Sequence, residues 1–197
     1  FSRCSLTPID WCINCHAGST KEHHAELRFA ESSLVAVTVP MGPEHTECWT
    51  APHESQNEDH SGGLWLEVKN QRARIESQTI GSYLPQDLDY DLNGTVSFTK
   101  GCYTGQEIVA RLHYRGTPKR RLHRAKTTAA AIAGDILVNA DGKTVGSIVN
   151  HCLQDQAHEL LIELTPEAAA EPIMLKGGHG ELSQVTRCQH DKDQSTG

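Results

Sequence analysis

The chain has 197 residues, of which 37% are hydrophobic, and a formal net charge of −7. It is long enough for one large domain or two small ones. The sequence contains no apolar run of about 18 residues, which excludes a membrane helix. It also shows no N-terminal leader, so we expect a cytoplasmic protein. The seven cysteines, an odd number spread along the chain, exclude a disulfide scaffold and predict reduced thiols.

Charge is unevenly distributed along the chain. Residues 1–63 hold 3 basic and 9 acidic side chains, residues 64–126 hold 11 and 6, and residues 127–197 hold 4 and 10. A positive middle between two negative flanks predicts a local anionic ligand rather than a nucleic-acid surface covering the whole protein. Because the chain begins at Phe1, we also expect it to be processed or part of a longer protein.

The first region, residues 1–63, is acidic and rich in histidine. Residues 34–39 alternate as a strand does, and the polar tract of residues 51–63 predicts a loop or boundary. Trp11-Cys-Ile-Asn-Cys-His16 contains the C-x-x-C-H pattern of covalent haem attachment, which would require export. Cys12 and Cys15 could also share a metal, but a second matched pair is missing, so we predict no tightly bound metal.

The second region, residues 64–126, is predicted to contain strands at residues 64–68 and 95–99 and a short helix. Thr104 and Glu107 fit a capping box, residues 108–112 continue the helix, and Gly116 and Pro118 end it. Helix amides and nearby Lys100 would favour the thiolate of Cys102, which predicts a reactive thiol; a buried structural cysteine is the equal alternative.

The third region, residues 127–197, has the pattern of β-structure. Strands are predicted at residues 136–138, 144–150, 159–164 and 181–185, with a turn at residues 139–142. Short strands at this spacing predict a small antiparallel barrel followed by a polar tail, with a domain boundary near Lys126.

The second region ends in a run of cations without an acid. Its members are Arg111, Arg115, Lys119, Arg120, Arg121, Arg124 and Lys126. This stripe could hold the carboxylates of a ligand or the phosphates of RNA, with a solvated basic face as the alternative. Tyr114 is the one aromatic residue interleaved with the cations, which does not favour a base-stacking platform.

Lys100-Gly-Cys-Tyr-Thr-Gly-Gln-Glu107 resembles the K-G-C-[YF]-x-G-Q-E signature of the YgfZ proteins, members of the folate-dependent aminomethyltransferase superfamily. Gly81-Ser-Tyr-Leu-Pro-Gln86 resembles the family's short segment ending in Pro-Gln, and the residues from Val109 to Arg120 resemble its basic continuation. The resemblance implies an α+β fold, in which an aminomethyltransferase-like folate-binding portion precedes a small C-terminal antiparallel β-barrel.

The resemblance also implies the site. Trp65 matches by position the tryptophan that the bacterial family uses in folate binding, and its ring could stack on a pterin. Cys102 would be the functional thiol. Tetrahydrofolate would be held by Trp65 and by the signature and helix residues Lys100, Gly101, Tyr103, Gly105, Gln106, Glu107, Arg111 and Arg115.

The implied function is that of a folate-binding accessory protein which supports iron–sulfur cluster assembly or repair. Its implied partners are iron–sulfur client enzymes, such as radical enzymes that methylthiolate tRNA. Two alternatives stay open: a folate-dependent aminomethyl transferase, and a module that binds tRNA directly through the basic stripe. We therefore leave enzymatic activity undecided and favour an accessory factor.

Overall fold

The computed structural model describes residues 12–17, 26–30, 33–42, 45–50, 61–177 and 180–190, and up to residue 63 the description concerns the backbone. The chain divides into two compact units, Phe1–Leu66 and Glu67–Gly197. Of the described helices, none combines the length and apolar character needed to cross a lipid bilayer. The haem and metal motifs at residues 12–16 and the polar tail lie largely outside the described side chains.

The first unit contains a four-stranded antiparallel sheet of β1 (Cys12–Ala17), β2 (Glu26–Ala30), β3 (Ser33–Gly42) and β4 (His45–Thr50), in the order β1-β4-β3-β2. The predicted strand at residues 34–39 is confirmed as part of β3. Pairing with β2 stops at Thr38, so Pro40 lies where β3 has a partner on one side only. A proline can occupy this position because its missing N–H is not needed on the unpaired side.

The predicted strand at residues 64–68 is wrong, because these residues belong to helix α1 (Ser61–Lys69). Leu66, Glu67 and Val68 are consecutive and all buried. A short apolar run fits a buried helix as well as a strand, so periodicity could not separate the two.

The predicted strand at residues 95–99 is also wrong. The backbone from residue 91 to 100 forms turns and bends, and it is held by a hydrogen bond of 2.8 Å from the Val96 amide to the Tyr90 carbonyl. Helix α2 (Gln106–Arg115) is confirmed, and it ends where Gly116 donates its amide to the Leu112 carbonyl at 3.1 Å.

The second unit is built around a six-stranded antiparallel sheet, which confirms the predicted C-terminal β-structure. Its strands, in the order β10-β5-β8-β7-β6-β9, are β5 (Arg121–Thr127), β6 (Ile136–Asn139), β7 (Thr144–Gln154), β8 (Ala157–Leu164), β9 (Ile173–Leu175) and β10 (Ser183–Arg187). The boundary expected near Lys126 falls within β5.

The sheet curls until its two edge strands are linked. Met174 in β9 bridges to Glu181 just before β10, and the Leu182 amide donates to the Ile173 carbonyl at 2.8 Å. The concave side holds a hydrophobic core that includes Leu137, Ile148, Leu160, Ile162, Leu164 and Ile173, each at most 1% exposed.

The other side of the sheet is covered by the segment that precedes α2. Asn150 in β7 accepts a hydrogen bond from the Arg74 amide at 2.8 Å and donates to the Arg74 carbonyl at 3.0 Å and to Glu76 Oε1 at 2.7 Å. This two-sided burial explains why all five residues from Leu160 to Leu164 in β8 are buried, including the carboxylate of Glu163.

Glu163 carries a buried carboxyl group of which only one oxygen has hydrogen-bond partners among the described residues. Its Oε1 accepts from Arg120 Nη1 at 2.7 Å and from Ser147 Oγ at 2.9 Å, whereas Oε2 has no hydrogen-bond partner among the described residues. The Tyr83 hydroxyl lies 3.0 Å from Ser147 Oγ. Burial raises the pKa of Glu163 from 4.5 to about 7, although Arg120 and the Ser147 hydrogen bond act in the opposite direction.

This raised pKa makes stability depend on pH. Between pH 4.5 and about 7 the folded protein keeps the Glu163 proton while the unfolded chain loses it, so unfolding becomes easier as the pH rises through that window. We expect the free energy of unfolding of the wild type to fall by about 3 kcal/mol relative to Glu163→Gln across the window. Urea titrations of both proteins at several pH values measure this, and parallel pH profiles would contradict the assignment.

Candidate functional site

A surface cleft of about 200 Å³ lies where the signature segment meets α2. One wall is formed by the segment before the helix, namely Val96, Ser97, Phe98, Lys100, Gly101, Cys102 and Tyr103, and the other by the helix residues Gln106, Val109, Ala110 and Tyr114. The structure therefore brings five of the predicted site residues together: Lys100, Gly101, Cys102, Tyr103 and Gln106.

The turn between the two walls depends on Gly105. This residue is the N-cap of α2, with φ at +90°, a conformation that favours glycine. The Gln106 side chain closes the turn, because its Oε1 accepts a hydrogen bond of 3.3 Å from the Tyr103 amide. The predicted capping box of Thr104 and Glu107 is wrong, since the helix begins one residue later and no side chain caps it.

An aromatic cluster joins the two walls. The Phe98 ring stacks on His113 with centroids 3.6 Å apart and an interplanar angle of 10°. Tyr114 meets Phe98 edge-on at 6.2 Å and His113 at 4.8 Å. These contacts attach the segment that leads into the signature residues to helix α2, although this segment forms no strand. They also hold the Tyr114 ring at the cleft.

Gln86 anchors α2 to the rest of the unit. Its side chain is fully buried, and Nε2 donates a hydrogen bond of 2.7 Å to the Val109 carbonyl in the middle of the helix. The Gln86 carbonyl in turn accepts from Arg121 Nη1 at 3.1 Å. One residue of the Pro-Gln segment thus connects the cleft to strand β5.

A buried carboxylate, Asp89, holds this connection in place. Its oxygens accept one hydrogen bond from Arg121 Nη1 at 3.3 Å and two from the Arg187 guanidinium, and one of them lies 3.1 Å from His190 Nε2. Burial disfavours its charge, but the hydrogen bonds from His190 and Arg187 outweigh that effect, so the pKa of Asp89 lies below its ordinary value of 3.8. Sequence reasoning missed this residue.

The cysteines described with side chains fall into two classes. Cys102 is exposed at the cleft, whereas Cys152 and Cys188 are buried. Burial raises the pKa of Cys152 to about 11 and that of Cys188 to about 12, which leaves both thiols protonated and unreactive near neutral pH. Cys102 is therefore not a buried cysteine, and its role as the functional thiol stays a prediction.

The predicted basic stripe separates into two groups in the structure. Arg120 is paired with Glu163, Arg121 with Asp89 and Asp91, and both Arg124 and Lys126 with Glu159, at distances from 2.6 to 3.5 Å. Arg111, Arg115 and Lys119 are exposed. Within the part of the chain that the structure describes, no carboxylate pairs with these three cations.

The remaining predicted site residues lie apart from the cleft lining. Glu107, Arg111 and Arg115 are on the exposed side of α2. Trp65 is half-buried in α1 and belongs to the first unit, whereas the signature segment belongs to the second. Its role in folate binding stays a prediction. Three or more His, Cys, Asp or Glu side chains suited to a metal do not occur together among the described residues.

The known proteins that the chain resembles include several that carry the same name. The chain is 40% identical over 134 residues to the tRNA-modifying protein YgfZ of Pectobacterium carotovorum, covering 67% of the chain and 39% of that protein. It is 32% identical over 124 residues to the Klebsiella pneumoniae protein of the same name (60% and 38%) and 32% identical over 114 residues to that of Aliivibrio fischeri (55% and 36%). No model of a protein family matches the chain.

The protein is thus an α+β protein of two units. Its second unit combines a curled antiparallel sheet with a glycine-containing turn that presents the exposed thiol of Cys102 at a cleft. The similarities assign the chain to the YgfZ family, as a C-terminal part. The chain spans 36% to 39% of the length of these curated relatives.

The Asp89 ion pairs should be essential for stability. Asp89→Asn keeps a residue that tolerates the left-handed backbone at φ 57°, but it removes the buried countercharge of Arg187 and leaves Arg121 with Asp91 alone. We expect a loss of about 3 kcal/mol in the free energy of unfolding, measured by urea titration at pH 7. The control is Asp141→Asn on the exposed turn after β6, which should change stability by less than about 0.5 kcal/mol. A loss below about 1 kcal/mol for Asp89→Asn would exclude this role.

Proposed function

We propose that the protein is a folate-binding accessory factor that supports iron–sulfur cluster assembly or repair and, through iron–sulfur client enzymes, the modification of tRNA. On this proposal residues 64–126 are the folate-binding portion of an aminomethyltransferase-like fold. The observation that carries the proposal is the position of Cys102: an exposed thiol on the rim of a cleft with aromatic and cationic side chains. The relatives' name, tRNA-modifying protein, supports the biological role.

The chemistry of the cleft suits a flat, anionic ligand. Tyr103 and Tyr114 offer rings for stacking on a pterin, and Lys100 offers an ammonium group at the same opening. At about 200 Å³ the cleft is smaller than the roughly 300–1,000 Å³ of sites that enclose a drug-sized ligand. It would hold the pterin ring and leave the anionic glutamate tail outside, where exposed cations of α2 such as Arg111 and Arg115 would attract it.

The accessible thiol suits work on a client protein. A cysteine must be exposed to meet a partner's cluster, and of Cys102, Cys152 and Cys188 only the first is exposed. Neither buried thiol could replace it without opening the fold, because burial also raises their pKa values. We therefore assign the functional thiol to Cys102.

Folate binding is tested by calorimetric titration of the purified chain with tetrahydrofolate. We expect micromolar binding that Tyr103→Ala weakens at least about tenfold, because it removes a stacking surface at the cleft. Trp65→Ala tests separately the tryptophan that the family resemblance implies, and it should weaken binding as well. Leu153→Ala, which truncates another exposed side chain in β7, is the matched control and should bind as the wild type does. Absence of heat with a folded protein would reject folate binding by this chain, and formaldehyde or aminomethyl turnover would favour the transferase alternative.

The thiol is tested in cells that lack their own copy of the family member. Cys102→Ser changes one atom at an exposed position, so we expect unchanged protein levels but at least about a tenfold loss of methylthiolated nucleosides in tRNA, quantified by mass spectrometry. Thr104→Ser, an exposed change in the same turn, should retain full modification. Full modification with Cys102→Ser would remove the thiol from the mechanism.

A further inference from the structure

The outer side of α2 carries cations that the fold does not use. Arg111 and Arg115 are four residues apart on the helix, so they lie on one side about one turn from each other. Lys119 is exposed in the irregular segment between the helix and β5. The neighbouring cations Arg124 and Lys126 are instead neutralised by Glu159. The positive field of the stripe is therefore concentrated on Arg111, Arg115 and Lys119.

Two exposed tyrosines line the cleft on the other side of the helix, and Tyr114 directly precedes Arg115 in the sequence. Tyr103 is 51% exposed and Tyr114 is 68% exposed, and both line the same cleft. Tyr114 is braced by its edge contacts with Phe98 and His113. The sequence suggested a single aromatic residue among the cations, and the fold supplies a second from the signature segment. Cations flanked by exposed aromatic rings are the combination by which proteins bind single-stranded nucleic acids.

We propose that the mouth of the cleft and the outer side of α2 form a binding surface for an unpaired segment of RNA. Arg111, Arg115 and Lys119 contact phosphates, and Tyr103 and Tyr114 stack on bases. This goes beyond action through client enzymes, because it gives the protein a direct contact with RNA. The contact does not require folate; only the choice of RNA over DNA rests on the proposed role in tRNA modification.

The test uses fluorescence anisotropy with an unstructured RNA of about 12 nucleotides, without folate, at about 50 mM salt, where phosphate contacts are strongest. We expect saturable binding that weakens as salt is raised. The double variant Arg111→Gln/Arg115→Gln should bind about tenfold more weakly, with a slope of log affinity against log salt that is shallower by about 1.4.

The matched control removes the same charge from the paired cations. Arg124→Gln/Lys126→Gln should bind within about twofold of the wild type, because Glu159 already neutralises these side chains. Equal losses in the two double variants would show a non-specific field and overturn the proposal. So would the absence of binding at low salt, with circular dichroism confirming that each protein is folded.

Stacking is tested separately at Tyr103. Tyr103→Ala should weaken binding about tenfold, whereas Tyr103→Phe, which keeps the ring, should retain it. A duplex of the same sequence should bind more weakly, since its bases are not available to the tyrosines. Equal affinity for single-stranded DNA would overturn the assignment to RNA. Failure of the folate titration with intact RNA binding would reject the folate proposal alone.

Discussion

The carboxylate of Asp89 is the interaction on which the arrangement of the second unit depends. It joins three parts of the chain that are far apart in sequence: the loop before the signature segment, the start of β5 and the end of β10. Arg121, held by Asp89 and Asp91, also donates to the Gln86 carbonyl, and Gln86 holds the middle of α2. The position of the cleft therefore depends on a buried charge that is not among the residues lining it.

This dependence explains which features could be predicted from the sequence. The strands β6, β7 and β8 and helix α2 follow local patterns, with short runs of apolar residues separated by turn residues in the strands and Gly116 at the helix end, and these were predicted. The predictions at residues 64–68 and 95–99 were wrong because apolar residues there pack through tertiary contacts. Phe98, for example, stacks on His113 of helix α2. In the sequence, the spacing of such residues is the same as that of a strand. The capping box failed because Gly105, rather than Thr104, occupies the N-cap.

The candidate site was predicted in the same uneven way. The signature residues from Lys100 to Gln106 are adjacent in sequence, and the glycine turn brings them to one cleft. Asp89 could not be found, because its partners Arg187 and His190 lie about a hundred residues away and nothing local marks the pairing. Nor could the sequence separate paired from unpaired cations in the stripe. That distinction depends on Glu159 and Glu163, which the register of β8 beside β5 brings opposite.

The link between β9 and the residues before β10 has a consequence for the behaviour of the protein at high concentration. An edge strand with free amides and carbonyls is a template on which strands of other molecules can add, and this is a common route to aggregation. In the described part of the second unit, β9 is only three residues long, and its outer edge is occupied by the bridge from Met174 to Glu181 and by hydrogen bonds with the residues leading into β10. This link thus protects the β9 edge of the sheet, and a change that opened it would expose that edge to intermolecular strand addition.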